Sequence, residues 1–357
     1  MKKRLLMVYA GQSNMMGAGV YPPKSEIHTR DSFEYLHKNI RMGKAHGEFR
    51  PVGFPCGEFS YKDWEKAYES ANPSTMDDYH TNMYFCPSMY TLKDEKERTE
   101  NPCKIFSEAH PHPGAAMPPF VAENWEKKGG CCAYAHIAKG AVSILHYFGD
   151  DMLARFNAAA HQPREINDMC RGASAYFFQK SRDFFRDAAW QFPHEDQSEK
   201  CLVWLQGETD CRSGMDPHDY ALLLSILWEE CKKIGFTRFF MVRVGYFGDP
   251  EILNVMQGQE DFCLSTPDAY MMTRAYSFFP YAGRDESEWF IKAPGEEYQL
   301  CRDSHYGFVN QHVNEKGFQV IARALTENMD RLFLQNLSPV PEEEIVRGLI
   351  HEKKEEQ

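Results

Sequence analysis

Short, uninterrupted apolar runs alternate along this chain with longer stretches whose apolar positions recur at helical spacing. Leu5 to Tyr9 is the first run; it ends at Gly11 and gives way to Gln12, Ser13 and Asn14. An apolar run of that length with no polar break predicts a strand buried on both faces. Cys201 to Leu205 reads the same way, and Cys131 to Ala138, Phe239 to Val244 and Tyr270 to Thr273 read as further, mostly apolar strands. Between them, Met117 to Gly129 is framed as a helix by Pro118 and Pro119 in its first turn and by Gly129 after its last. Residues 172 to 191 carry Phe177, Phe178, Phe184, Phe185 and Ala188 on one helical face. Tyr220 to Ile234 predicts a helix stopped by Gly235, and Val255 to Phe262 predicts another. Phe318, Ile321, Leu325, Met329 and Leu332 mark a final amphipathic helix with Asn314 as its cap.

Uniformly apolar strands alternating with helices predict a parallel sheet covered on both faces. The expected fold is therefore a three-layer α/β/α sandwich with a parallel central sheet. One domain is expected over residues 1–335, interrupted by an irregular insertion at about 20–115. The insertion is rich in Pro, Gly, Tyr, His and Cys and shows few clean periodicities. Three readings stay open for it: a lid, a contact between copies in a homo-oligomer, or a surface excursion with short helices. Residues 336–357 read as a charged tail.

Composition narrows the function. Across 357 residues the formal net charge is -12, which argues against a nucleic-acid partner, because phosphate binding needs a concentrated basic face. The eleven cysteines are scattered, with no C-x-x-C pair, and read as buried thiols in a reducing compartment. Lys2, Lys3 and Arg4 precede too few apolar residues for a signal-peptide core, and no run is long enough to span a membrane. The expected location is cytoplasmic. His110 and His112 stand in a proline-stiffened loop without a second ligand pair, so no metal is expected. Lys139-Gly140 lacks the other glycines of a phosphate loop, and no carboxylate spacing singles out a glycosidase pair.

Three polar clusters close apolar elements: Gly11-Gln12-Ser13-Asn14-Met15, Gln206-Gly207-Glu208-Thr209-Asp210, and His312-Val313-Asn314-Glu315-Lys316-Gly317. In an open parallel sheet the strand ends face one crevice, where ligands bind. A serine hydroxyl becomes a competent nucleophile when an imidazole takes its proton, an acceptor orients that imidazole, and donors await the oxyanion. The clusters hold these residue types. No G-x-S-x-G occurs, so the nucleophile elbow of α/β-hydrolases is absent.

The Gly-Gln-Ser-Asn-Met block, the Trp204-Leu-Gln-Gly-Glu-Thr-Asp210 block and the late His-x-Asn-x-x-Gly closely resemble the SGNH-hydrolase superfamily. They look most like its sialate O-acetylesterase and carbohydrate esterase family 6 branch, as does the Ala-Lys-Gly-Ala core of Ala135 to Ser143. The resemblance implies Ser13 as nucleophile, with its own N–H in the oxyanion hole. Gln12, Asn14, Gln206 and Gly207 would donate to the oxyanion or contact substrate. Gly114 is matched to the block-two glycine, although a plain turn glycine is an equal reading.

The base departs from the pattern. Where the superfamily has an acid three residues before the histidine, this chain has Val309 before His312. His305, two residues after Asp303, is the alternative base. The Asn-x-x-Gly and helix that follow favour His312, with Glu208 as the acid that orients it and Asp303 as second choice. The implied activity is removal of O-acetyl groups from a carbohydrate, with an acetylated sugar as partner and no cofactor. The rival expectation is a carbohydrate-binding protein on the same fold that has lost turnover, for which Val309 is the evidence. A lipase-like esterase is a third option, separated by its response to longer acyl chains.

Overall fold

The computed structural model describes residues 3–16, 27–36, 47–53, 117–138, 142–166, 173–192, 199–245, 251–282, 313 and 315–341. Among the described residues seven strands form one sheet: β1 (Arg4–Gly11), β2 (His28–Leu36), β3 (Glu48–Gly53), β4 (Cys131–Ala138), β5 (Glu199–Leu205), β6 (Arg238–Val242) and β7 (Ala269–Thr273). Their spatial order is β3-β2-β4-β1-β5-β6-β7. Among these strands β2 and β3 pair antiparallel and every other pairing is parallel. Leu5 to Ala10 are at most 5% exposed although alternate residues point to opposite faces, so β1 is covered on both sides. The architecture is mixed α/β around a mostly parallel sheet, compatible with three layers.

The helices are α1 (Ser13–Met16), α2 (Met117–Lys127), α3 (Asp150–Asn157), α4 (Ala173–Gln191), α5 (Glu208–Cys211), α6 (Pro217–Lys233), α7 (Ile252–Ser265), α8 (Ala275–Ala282) and α9 (Glu315–Phe333), with a 3-10 turn at Ile144–Tyr147. Local chemistry explains their ends. Asp216 caps α6 by accepting the Asp219 N–H, Pro217 opens its first turn, and Gly235 leaves it at φ +102°. In α9 the predicted stripe of Phe318, Ile321, Leu325 and Met329 is buried, and this helix packs on α2. Phe177 and Phe184 of α4 are fully buried as well.

With the β2–β3 hairpin set aside, the order β4-β1-β5-β6-β7 places the second strand, then the first, then the third, fourth and fifth. Strand order therefore reverses between β1 and β5. In open α/β sheets this reversal opens a crevice at the carboxyl ends of the two strands. Those ends are Gly11 and Leu205, which are register partners.

The expectation of an irregular stretch from 20 to 115 is corrected for its first part. His28–Leu36 adds to β4 in parallel, with Phe33 opposite Ala133, and Glu48–Gly53 closes the edge. β2 opens with five polar residues, His28 to Ser32, before Phe33, Tyr35 and Leu36, and so carries no buried-strand signature. The rest of the insertion, including 54–116, lies outside the described residues. The tail begins tied to the domain: Val340 N–H donates to Asn328 Oδ1 (2.7 Å) and Arg274 Nη1 donates to the Pro341 carbonyl (2.7 Å). Residues 342–357 lie outside the described set.

Candidate active site

The first turn is built on Gly11. Its φ is +155°, and a Cβ there would lie 1.9 Å from the Leu205 carbonyl oxygen, so no side chain fits where β1 and β5 converge. Tyr147 clamps the same residue: its hydroxyl accepts from Gly11 N–H (2.9 Å) and donates to Gly11 C=O (2.8 Å). The Tyr147 ring stands edge-on to Trp204 and Phe177, which fixes the hydroxyl. Gln12 N–H donates to Leu205 C=O (3.2 Å), and Ser13 then starts α1. On β4, His136 donates through Nε2 to the Met15 carbonyl (2.7 Å), holding α1 against the sheet. Because a carbonyl only accepts, that nitrogen carries the proton.

The second turn follows β5. Gly207 has φ +146°, and a Cβ there would meet Val255 Cγ1 at 2.5 Å. The Gln206 backbone carbonyl accepts from Tyr220 Oη (2.8 Å) and Gln259 Nε2 (2.9 Å), one from α6 and one from α7. The Gln206 side-chain amide donates to the Val142 carbonyl (2.9 Å) and to Asp210 Oδ2. Asp210 is fully buried and also accepts from Ser143 Oγ (2.6 Å) and Ile144 N–H (3.1 Å). Burial pushes its carboxyl above the ordinary value, although these three bonds oppose the shift.

One side chain joins the turns. Asn14, 1% exposed, donates through Nδ2 to Glu208 Oε1 (2.9 Å) and to Tyr276 Oη (2.7 Å). Its Oδ1 accepts the backbone N–H of Val313 (3.1 Å), 299 residues away in sequence. The residue after Ser13 thus holds both Glu208 and the residue after His312. Glu208 is 3% exposed, and its Oε2 has no hydrogen-bond partner among the described residues. Burial raises its carboxyl above the ordinary value; the Asn14 bond opposes the rise and the neighbouring Asp210 charge adds to it.

Of the expected site residues, Gln12, Asn14, Gln206, Gly207 and Glu208 are brought together where the strand order reverses. Ser13 is described by its backbone, at the start of α1. Gly114, Asp303, His305 and His312 lie outside the described residues, as does the expected cap Asn314. Two expected roles change. An amide nitrogen has two hydrogens, and those of Asn14 go to Glu208 and Tyr276 while those of Gln206 go to Val142 and Asp210. Neither side chain has a hydrogen left for an oxyanion, and both position the turns instead. Tyr147, Tyr220, Gln259 and Tyr276 also hold the site. Each stands inside an apolar or helical stretch where a buried hydroxyl or amide leaves no pattern.

No family model matches the chain, and no curated protein matches it. Among solved structures it is similar to an Arabidopsis thaliana protein determined by X-ray crystallography at 1.6 Å. The identity is 12%, the match covers 94% of this chain and all of the other, and the TM-score is 0.44.

Proposed function

We propose that the protein is a serine esterase that removes O-acetyl groups from a carbohydrate, with Ser13 as nucleophile, His312 as base and Glu208 as the acid that orients it. The observation that carries this reading is the Asn14 bridge, which ties the Ser13 turn, Glu208 and the backbone beside His312 into one hydrogen-bonded unit. Glu208 is favoured over Asp303 because its Oε2 is buried and unengaged among the described residues. A buried acceptor of that kind is costly unless a donor such as an imidazole N–H occupies it. Ser13 Oγ bonds to the acetyl carbonyl carbon as His312 takes its proton. The tetrahedral intermediate then collapses, breaking the bond to the sugar oxygen, which leaves with the proton from His312. Water repeats the cycle on the acetyl-enzyme and releases acetate. With Asn14 and Gln206 committed elsewhere, the Ser13 N–H is the proposed oxyanion donor. The three-layer SGNH-type arrangement belongs to the same proposal. So does a cytoplasmic location, which the buried free thiols of Cys131, Cys132, Cys201, Cys211 and Cys231 support.

The test is acetate release from 4-nitrophenyl acetate and from defined O-acetylated sugars. Ser13→Ala and His312→Ala are expected to lose about 10³-fold or more of kcat/KM while His305→Ala stays near wild type. Wild-type turnover no faster than Ser13→Ala would instead support a binding protein, the reading that Val309 favours.

A further inference from the structure

A second cluster of chemistry-bearing side chains lies outside the proposed esterase site and does not depend on it. His161 comes from the loop after α3, and Asp216, His218 and Asp219 come from the cap and first turn of α6. One ligand atom from each lies within 4.8 Å of every other. His161 Nδ1 is 3.3 Å from Asp216 Oδ1, and His218 Nδ1 is 3.2 Å from Asp219 Oδ1. The two imidazole rings stack at 4.1 Å with their planes 14° apart.

We propose that His161, Asp216, His218 and Asp219 form a structural site for one divalent transition-metal ion of the zinc type. Two imidazoles and two carboxylates are a donor set suited to a borderline ion; magnesium and calcium prefer all-oxygen sets. With neutral imidazoles the four groups carry two negative charges, which one divalent cation balances. The 3.2 and 3.3 Å separations also match the edge of a tetrahedral site, about 3.4 Å for metal–ligand bonds of about 2.1 Å. The widest separation must contract, and the stacked rings must tilt so that their lone pairs converge. Both histidine side chains are more than half exposed and free to do so. Asp219, by contrast, is fully buried and already fixed, accepting the His161 N–H (2.8 Å) and Gln162 N–H (2.9 Å). The fixed carboxylate supplies a preset ligand and the movable rings complete the shell. Those two backbone bonds also hold the carboxylate in one orientation, as outer hydrogen bonds do for metal ligands.

The ion would act as a staple. Arg164, on the same loop as His161, already reaches the Ser213 and Gly214 carbonyls. The Ser213–Met215 segment in turn bonds back to the Asp210 carbonyl. Metal at this cluster would therefore tighten the loop that leads out of the Glu208–Asp210 turn.

The full chain, stripped with a chelator, is titrated with Co²⁺ and Zn²⁺. Expected are one Co²⁺ per chain with the intense visible absorption of four-coordinate cobalt, its displacement by Zn²⁺, and a Zn²⁺-dependent rise in melting temperature. The His161→Ala/His218→Ala variant is expected to lose all three effects while keeping the metal-free melting temperature within a few degrees. Asp216→Asn, which retains a capping oxygen, is expected to weaken binding at least tenfold. Absence of binding, binding unchanged in the double-histidine variant, or an octahedral all-water spectrum would overturn the proposal. The cluster would then be two imidazole–carboxylate pairs and nothing more.

Discussion

Asn14 accepts the backbone N–H of Val313 at 3.1 Å while donating to Glu208 at 2.9 Å. A single amide therefore sets the distance between the end of β1 and the start of α9. Asn14→Ala strands a buried carboxylate oxygen and a buried N–H together. At roughly 1–3 kcal/mol for each partner left unpaired, the expected loss is about 3 kcal/mol, read from urea unfolding. Under the proposed esterase function, acetate release should fall by more than that instability explains at temperatures where the variant stays folded.

Glu208 sits in the site at an energetic cost. Its folded carboxyl titrates above the ordinary value of 4.5, chiefly because it is buried. A raised carboxyl favours the folded state below the unfolded value and loses that advantage as pH rises through the folded one. Glu208→Gln keeps an acceptor for Asn14 but has no charge to desolvate. The melting temperature of this variant relative to wild type should therefore climb between pH 4 and pH 8, while hydrolysis of 4-nitrophenyl acetate drops at least tenfold. A relative melting temperature that is flat or falls over that range would contradict the sign.

Glu260 behaves oppositely. Burial alone would raise its carboxyl, but Arg274 (2.6 Å) and Arg243 (2.8 Å) outweigh burial and hold it below the ordinary 4.5. Its stabilising contribution is present above the unfolded value and is lost as pH falls through the depressed folded value. Wild type is thus expected to lose stability below about pH 4.5 more steeply than Glu260→Gln, measured by thermal melts in acid.

Glycine substitutions separate strain from overlap. Gly129 has φ +90°, and a Cβ added there would meet nothing within 4 Å, so Gly129→Ala should cost only the backbone penalty, about 1–2 kcal/mol. Gly11→Ala adds a collision with the Leu205 backbone and should cost more than about 4 kcal/mol or prevent folding, as read from expression and melting.

Tyr276→Phe removes an acceptor from Asn14 without changing the packing of the ring. The expected result is a drop in kcat at nearly constant KM, since Asn14 positions rather than binds. A change confined to KM would place Tyr276 against substrate instead.

β1 and β5 were legible because their buried lengths follow one pattern, apolar at successive positions, from which β4 departs at His136. Leu5 to Tyr9 and Cys201 to Leu205 satisfy it, and the glycines that follow them are forced by close approaches at the strand ends. β2 was hidden because its first half, His28 to Ser32, is wholly polar and Glu34 interrupts the apolar residues that follow, although that side chain is buried. At the site, composition suggested which turns matter but not how their groups are spent. Asn14 and Gln206 read as donors awaiting a ligand, and only the folded structure reveals that their hydrogens are already given away. The His161–Asp219 cluster escaped for another reason: its members are unremarkable in sequence, and the approach of the loop after α3 to the start of α6 creates it.

The hairpin that extends the sheet also forms its border among the described residues. β3 is six residues long and carries exposed Glu48 and Pro51, while its partner β2 shifts register between His28 and Phe33. Proline in an edge strand turns its hydrogen-free nitrogen outward, and a shift in register twists the ribbon away from flatness. A stray strand from another molecule would find that border short, bent and missing a donor. The same addition that widens the sheet therefore guards it against growing into a fibre.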